Sequence, residues 1–152
     1  MILRTAGFAE ISNTILYSLL QLRAEVFVVE QNCVYPDLDG RDSEPGTLHV
    51  WLAEGERVTA YLRVLTEPDG AARIGRVVVA PAWRGTGLAD RLVAAALTAI
   101  GDRPARLESQ SAVTALYARH GFTVCGPDYV EDGIPHTPMS RPAPSSTGPA
   151  TA

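Results

Sequence analysis

The sequence contains no lysine, because all 13 of its basic residues are arginine. This absence excludes Schiff-base catalysis by a lysine and the phosphate-binding lysine of P-loop nucleotide hydrolases. Aspartate and glutamate together number 17, which gives a formal net charge of -4. An acidic balance of this kind disfavours a broad electrostatic interface, so no nucleic-acid partner is expected.

Cysteines, histidines and long apolar runs are also scarce. The two cysteines, Cys33 and Cys125, have no CxxC spacing, which predicts free thiols in a reducing compartment. Three scattered histidines give no metal-site spacing, so no metal is expected. No run approaches the ~18 apolar residues of a membrane span, and residues 1–10 lack the regions of a signal peptide. These observations predict a cytoplasmic protein without a membrane partner.

The composition that remains is that of a soluble globular protein, with 46% hydrophobic and 20% charged residues. The length favours a single domain, which we place at residues 1–140. Residues 141–152, which read RPAPSSTGPATA, contain no core-forming side chain. They predict a disordered tail.

The apolar pattern predicts the order β-α-β-β-β-α-β-α-β with one further strand at the end, a mixed fold of the α/β (α+β) class. Ser12 is expected to cap the first helix. Turns at Gly55-Glu56 and Pro68-Asp69-Gly70 predict an antiparallel meander of three strands. A second helix is expected over residues 88–100, and Asp132-Gly133 predicts a final hairpin.

The most informative stretch is VVVAPAWRGTGLADR, residues 77–91. Its three valines predict a buried strand, which must end at Pro81 because proline has no amide hydrogen to donate. Gly85 and Gly87 follow, directly before the second helix. Two interpretations are open: a simple β–α turn, or a phosphate cradle built from the free amides of the helix N-terminus.

The familiar nucleotide motifs do not fit this loop. The Walker motif needs a lysine, and the dinucleotide fingerprint GxGxxG fails because Asp90 stands where the third glycine belongs. The segment Arg84-Gly85-Thr86-Gly87-Leu88-Ala89 reads R-x-x-G-x-A. It resembles the acetyl-CoA signature of the GCN5-related N-acetyltransferase (GNAT) superfamily.

Further segments strengthen this resemblance. Residues 116–122, LYARHGF, are similar to the segment after the last helix of that superfamily, whose tyrosine commonly serves as general acid. Residues 22–33, 35–42 and 131–136 resemble the corresponding segments of the ElaA-like acetyltransferases. The similarity runs in family order and covers about residues 11–140.

The resemblance implies a GNAT fold, with a mixed central sheet of six to seven strands flanked by three to four helices. It implies an acetyl-CoA-dependent N-acetyltransferase that transfers an acetyl group to a primary amine by direct attack. Tyr117 would be the general acid that protonates the departing CoA thiolate. The residues that would hold acetyl-CoA are Val77, Val78 and Val79 beside the pantetheine arm, and Arg84, Gly85, Thr86, Gly87, Leu88 and Ala89 around the pyrophosphate.

The acceptor amine, of a small molecule, peptide or protein, is less well defined. Glu30 and His136 are the residues expected to bind it. The acidic residues near them, Asp37 and Asp39 included, either attract the amine or are solvated surface groups. His136 is either a base or a structural hydrogen-bond partner, and the base stays unassigned. Dimers are common in the superfamily, and a non-catalytic acyl-CoA-binding module is the alternative function.

Overall fold

The computed structural model describes residues 1–144, and its strands form one sheet with helices on both faces. The strands are β1 (Ile2–Gly7), β2 (Leu48–Glu54), β3 (Arg57–Thr66), β4 (Ala72–Val79), β5 (Ala105–Gln110), β6 (Thr123–Val124), β7 (Tyr129–Glu131) and β8 (Ile134–Arg141). The α-helices are α1 (Asn13–Arg23), α2 (Leu88–Ile100) and α3 (Thr114–Ala118). A π-helical segment, Ala24–Glu30, continues α1.

The order of the strands is β1-β2-β3-β4-β5-β8, and both β6 and β7 pair with the remaining edge of β8. Strands β4 and β5 are parallel, and the other pairings among the described residues are antiparallel. The predicted mixed sheet and its meander β2–β4 are therefore confirmed. The Ser12 cap is also confirmed, because its Oγ accepts a hydrogen bond from the Ile15 amide at 3.3 Å.

The described part of the chain has eight strands rather than the expected six to seven. The difference arises between the third helix and the Asp132-Gly133 turn, where the predicted order has one strand. Gly126 and Pro127 interrupt it, because proline cannot donate to a sheet ladder. The segment therefore forms two short strands, β6 and β7.

The final strand extends through Arg141, the first residue of the predicted tail. That tail was placed at residues 141–152, and its residues 145–152 lie outside the described part of the chain.

Two hydrophobic clusters lie on opposite faces of the sheet. One includes Leu92 and Val93 of α2 and Tyr117 of α3, and the other includes Leu19 and Leu22 of α1. Strand β3 lies between these layers, and its residues 58–65 are all buried. This explains its nearly continuous apolar sequence, because both faces of a central strand are covered.

Candidate active site

The parallel strands β4 and β5 separate partway along their length. Their pairing covers three residue pairs and ends at Ile74 and Leu107. On its other edge β4 carries one extra residue, because Tyr61 and Arg63 of β3 pair with Val78 and Gly75. Such a bulge bends the strand. The bend leaves the β5-facing edge of β4 without a strand partner beyond Ile74 among the described residues.

Arg76 occupies the bulge and has a left-handed backbone, with φ of 53°. This conformation is unfavourable for a residue with a Cβ atom. The side chain of Arg76 forms an ion pair with Asp37, with 2.8 Å between Nε and Oδ1, and lies over the ring of Tyr35. We infer that these contacts offset the strain and hold β4 away from β5.

Asp37 belongs to a buried ion-pair network, by which we mean Arg23, Asp37, Asp42 and Arg63. Arg23 is fully buried and contacts Asp37 at 3.0 Å and Asp42 at 2.7 Å. Arg63 contacts Asp42 at 3.0 Å. Asp39, at the edge of this network, contacts Arg63 at 2.6 Å.

These contacts correct both expectations for Asp37 and, for Asp39, the expectation that it attracts the amine. Neither carboxylate is free to attract an amine, and Asp37 is only 7% exposed, so it is not a solvated surface group. No local pattern indicates this pairing, since the arginine partners lie 14 to 39 residues away. The acidic segment fixes the shape of the cleft.

The glycine loop connects β4 to α2 with two left-handed residues, Gly85 and Gly87, whose φ values are 77° and 86°. Gly87 precedes the helix, and the first helical hydrogen bond runs from the Arg91 amide to the Gly87 carbonyl. The amides of residues 88–90 are therefore outside the regular helical bonding pattern. A helix N-terminus of this kind favours an anion.

Arg84 in this loop and Glu30 at the end of the π-helical segment form a bidentate ion pair. The two N–O distances are 2.7 and 2.8 Å, and the Nε of Arg84 also donates to the Val79 carbonyl at 3.1 Å. The pair is solvent-accessible, with side chains 42% and 45% exposed. Hydrogen bonding to Arg84 lowers the pKa of Glu30. A predicted cofactor residue and a predicted acceptor residue thus contact each other.

Tyr117 lies on α3 and is only 6% exposed. Its ring packs edge-to-face against Phe122, with centroids 6.2 Å apart. Burial raises the pKa of Tyr117 to about 12, so the phenol is protonated at neutral pH. Tyr117 also lines the cleft.

His136 lies on β8 and faces the same cleft. Its Nδ1 is 2.7 Å from the Ile134 carbonyl, and its ring stacks on Tyr129 with centroids 5.6 Å apart. In the sheet, His136 is opposite Gln110 of β5. The imidazole is thus held in position by a hydrogen bond and by an aromatic neighbour.

One cleft of about 660 Å³ collects eight of the twelve residues that the sequence singled out. They are Glu30, Val77, Val78, Val79, Arg84, Ala89, Tyr117 and His136. The other four, Gly85, Thr86, Gly87 and Leu88, lie in the loop at the start of α2 and outside this lining.

Sequence reasoning missed several polar residues of the cleft. Gln31 and Gln110 contribute their amides, which are 3.4 Å apart and join the helical wall to β5. The thiol of Cys33 is buried and lies 3.6 Å from the Asp132 carbonyl. These contacts span 79 and 99 residues, so no local sequence signal reveals them.

Within residues 1–144, no group of three or more histidine, cysteine or acidic side chains is arranged to hold a metal ion. None of the helices in these residues has the length and hydropathy that a membrane span requires.

Comparisons with known proteins agree with this geometry. The profile of the acetyltransferase (GNAT) domain family matches residues 17–142. A UPF0039 protein of Mycobacterium tuberculosis is 48% identical over 145 residues, covering 92% of each chain. ElaA of Escherichia coli is 39% identical over 139 residues, covering 88% of this chain and 91% of its own.

Two solved structures share both fold and sequence with this chain. They are an acyl-CoA N-acyltransferase from Pseudomonas aeruginosa, with a TM-score of 0.87 and 39% identity, and Escherichia coli ElaA, with a TM-score of 0.88 and 36% identity. Each comparison covers 93% of this chain and 99% of the other. The profile, the curated relatives and these structures all point the same way: the chain belongs to the GNAT superfamily of acetyltransferases and, within it, to the ElaA-like family.

Proposed function

We propose that this protein is an acetyl-CoA-dependent N-acetyltransferase that acetylates a primary amine by direct attack. The observation that carries the proposal is the unpaired edge of β4 beyond Ile74, which leads through Val79 into the glycine loop of α2. An extended chain with amides can add to such an edge, and the loop at its end suits a phosphate. CoA combines these two features in one molecule.

In the proposed complex, the pantetheine arm forms hydrogen bonds with the backbone of Val77, Val78 and Val79. A backbone amide of this strand would also polarise the thioester oxygen. The pyrophosphate would accept hydrogen bonds from the loop and the first turn of α2, that is from Gly85, Thr86, Gly87, Leu88 and Ala89. Acetyl-CoA, when bound, supplies the acetyl thioester. The side chains described in the following paragraphs bind the ligands and transfer the protons.

Arg84 would change partners when the pyrophosphate binds. In the structure its guanidinium contacts Glu30 and the Val79 carbonyl. A phosphate offers a second bidentate partner of higher charge. The exchange would free the Val79 carbonyl for the pantetheine arm and the Glu30 carboxylate for a cationic amine.

Asp90 is the one carboxylate in the first turn of α2, where it would repel a phosphate. Its side chain accepts hydrogen bonds from Arg119 and contacts the His120 Nε2 at 2.9 Å. These interactions, with Arg119 contributing most, lower the pKa of Asp90. We propose that they also offset its charge, so that the helix N-terminus keeps its affinity for anions.

Tyr117 would donate its proton to the departing thiolate. Its phenol is protonated at neutral pH because burial raises its pKa to about 12. The same buried position would raise the pKa of a thiolate beside it, which makes the transfer easier. Glu30 and His136, which line the same cleft, would bind the acceptor amine of a small molecule, peptide or protein.

The test is release of CoA from acetyl-CoA with a panel of primary amines, together with calorimetric binding of acetyl-CoA. We expect Tyr117→Phe to lower kcat by about 100-fold, a typical contribution of general acid catalysis, and to leave acetyl-CoA affinity unchanged. Tyr17→Phe is the matched control, because Tyr17 is an exposed residue of α1. Tight acetyl-CoA binding without turnover of any amine would instead support a non-catalytic acyl-CoA-binding module.

A further inference from the structure

The three histidines of this chain are held in different ways. His49 is fully buried, and both ring nitrogens have partners, the Tyr61 hydroxyl at 2.6 Å and the Asp42 carbonyl at 2.9 Å. His120 contacts Asp90 through Nε2 and lies outside the cleft lining. His136 lines the cleft, and its contact with the Ile134 carbonyl uses Nδ1.

The hydrogen bond of His136 fixes which ring nitrogen carries the proton. The Ile134 carbonyl oxygen is an acceptor, so Nδ1 must be the donor. In the neutral imidazole, Nε2 then carries a lone pair. No partner of Nε2 is found among the described residues. His136 is therefore a pre-oriented proton acceptor, because the ring is also fixed by stacking on Tyr129.

The sheet places His136 level with the part of β4 that would hold the thioester in the proposed complex. Its cross-strand partner Gln110 lies three residues beyond Leu107, where the pairing of β5 with β4 ends. Val78 lies four residues beyond Ile74, where the same pairing ends on β4, and one of these four is the extra residue of the bulge. Without that residue the two positions are equally far from the last pair, so Val78 and Gln110 lie at the same height along the two strands. The gap between β4 and β5 therefore opens between Val78 and the Gln110–His136 pair.

We infer that His136 is the general base of the acetyl transfer, an assignment that rests on the proposed function. Its Nε2 takes one proton from the ammonium form of the acceptor, directly or through one water. The neutral amine attacks the thioester carbon and the carbon–sulfur bond breaks. Tyr117 gives its proton to the thiolate and regains one from the new amide nitrogen. His136 returns its proton to solvent, so the products are amide, free thiol and one proton.

The charges around His136 suit this role. The arginines that line the cleft have carboxylate partners: Arg84 contacts Glu30, Arg76 contacts Asp37, and Arg73 contacts Glu67. Arg63 and Arg41 likewise contact acidic side chains. Glu108, Glu131 and Asp132 also line the cleft. The other titratable groups in or beside the cleft are Glu30, Cys33, Tyr35, Tyr117 and Tyr129.

The test compares His136→Asn with wild type across pH. The amide nitrogen of asparagine can replace Nδ1 as the donor to the Ile134 carbonyl, so the substitution removes the base and keeps the structural bond. We expect kcat/KM for the amine to fall by about 100-fold and to lose its acid limb, with unchanged acetyl-CoA affinity. Imidazole added to His136→Ala should restore part of the activity. Asp102→Asn, at an exposed residue outside the cleft lining, is the control and should keep the wild-type rate and pH profile.

The outcomes separate this inference from the proposed function. If wild type acetylates an amine and His136→Asn keeps both its rate and its acid limb, the base assignment is wrong and the acetyltransferase stands. If wild type neither binds nor consumes acetyl-CoA, both are overturned. A loss of activity in His136→Asn with weaker acetyl-CoA binding and no rescue by imidazole would indicate a structural role, which also contradicts the inference.

Discussion

Two arginine–carboxylate systems lie at or beside the cleft and differ in their exposure to water. In the buried ion-pair network, Arg23 is 0% exposed and Asp37 is 7% exposed. In the Arg84–Glu30 pair, both side chains are more than 40% exposed. The contact distances are nearly the same, 2.7 Å in each for the shortest contact. The contact distance alone therefore does not distinguish the buried network from the exposed pair, whose partners can be replaced by a ligand.

Solvation makes the difference. Separating a buried pair leaves a charge without water or partner, which is strongly unfavourable. Separating an exposed pair lets water replace each partner, so its net contribution is small. We conclude that the buried network holds Arg76 and the bulge of β4 in place, while Arg84 can exchange Glu30 for a ligand at little cost.

Asp37→Asn should have the largest effect, because it removes the carboxylate shared by Arg23 and Arg76. We expect the free energy of unfolding to fall by about 3 kcal/mol, measured by chemical denaturation. Asp69→Asn, which breaks the exposed contact with Arg106, is the control and should change stability far less. Equal losses in the two variants would remove the distinction between buried and exposed pairs.

Substitutions of Arg84 and of Glu30 should change the affinity for acetyl-CoA in opposite directions. Arg84→Gln removes a charged contact with phosphate and should weaken binding by about tenfold. Glu30→Gln removes the competitor for Arg84 and should tighten binding by a few-fold. Calorimetry measures both, and weaker binding in Glu30→Gln would show that Glu30 positions Arg84 for the ligand.

Asp39 gives the smallest effect, and we expect it to appear in the pH dependence of stability. Hydrogen bonding to Arg63 lowers the pKa of Asp39 well below its ordinary value. A carboxylate with a depressed folded-state pKa stabilises the fold above its unfolded pKa, about 4 for aspartate, and this contribution is lost as the pH falls further. Between pH 5 and 2, the stability of Asp39→Asn should therefore decline less steeply than that of wild type. Parallel declines would mean that Asp39 is not paired in solution.

The sequence predicted the parts of the fold that depend on neighbouring residues. The turns at Gly55-Glu56 and Pro68-Asp69-Gly70 produce the meander, and the left-handed Gly85 and Gly87 precede α2 as expected. Turn chemistry and helix starts are local, so a short segment is enough to specify them.

The shape of the cleft was not predictable in the same way. The bulge at Arg76 depends on Asp37, 39 residues earlier in the chain. An aspartate in an acidic, turn-rich segment has the same local pattern whether it is solvated or buried against arginine. For His136, the sequence left two alternatives, a base or a structural hydrogen-bond partner. The hydrogen bond from Nδ1 to the Ile134 carbonyl is structural, and it leaves Nε2 available to act as a base.

The contact between Gln31 and Gln110 is a bridge inside the cleft. The two amides join the helical wall to β5 at 3.4 Å, so no molecule passes between them and a ligand has to lie to one side of the bridge. Neither amide titrates, so the bridge carries no charge that changes with pH. Shortening Gln110 would remove the bridge and join the spaces on its two sides.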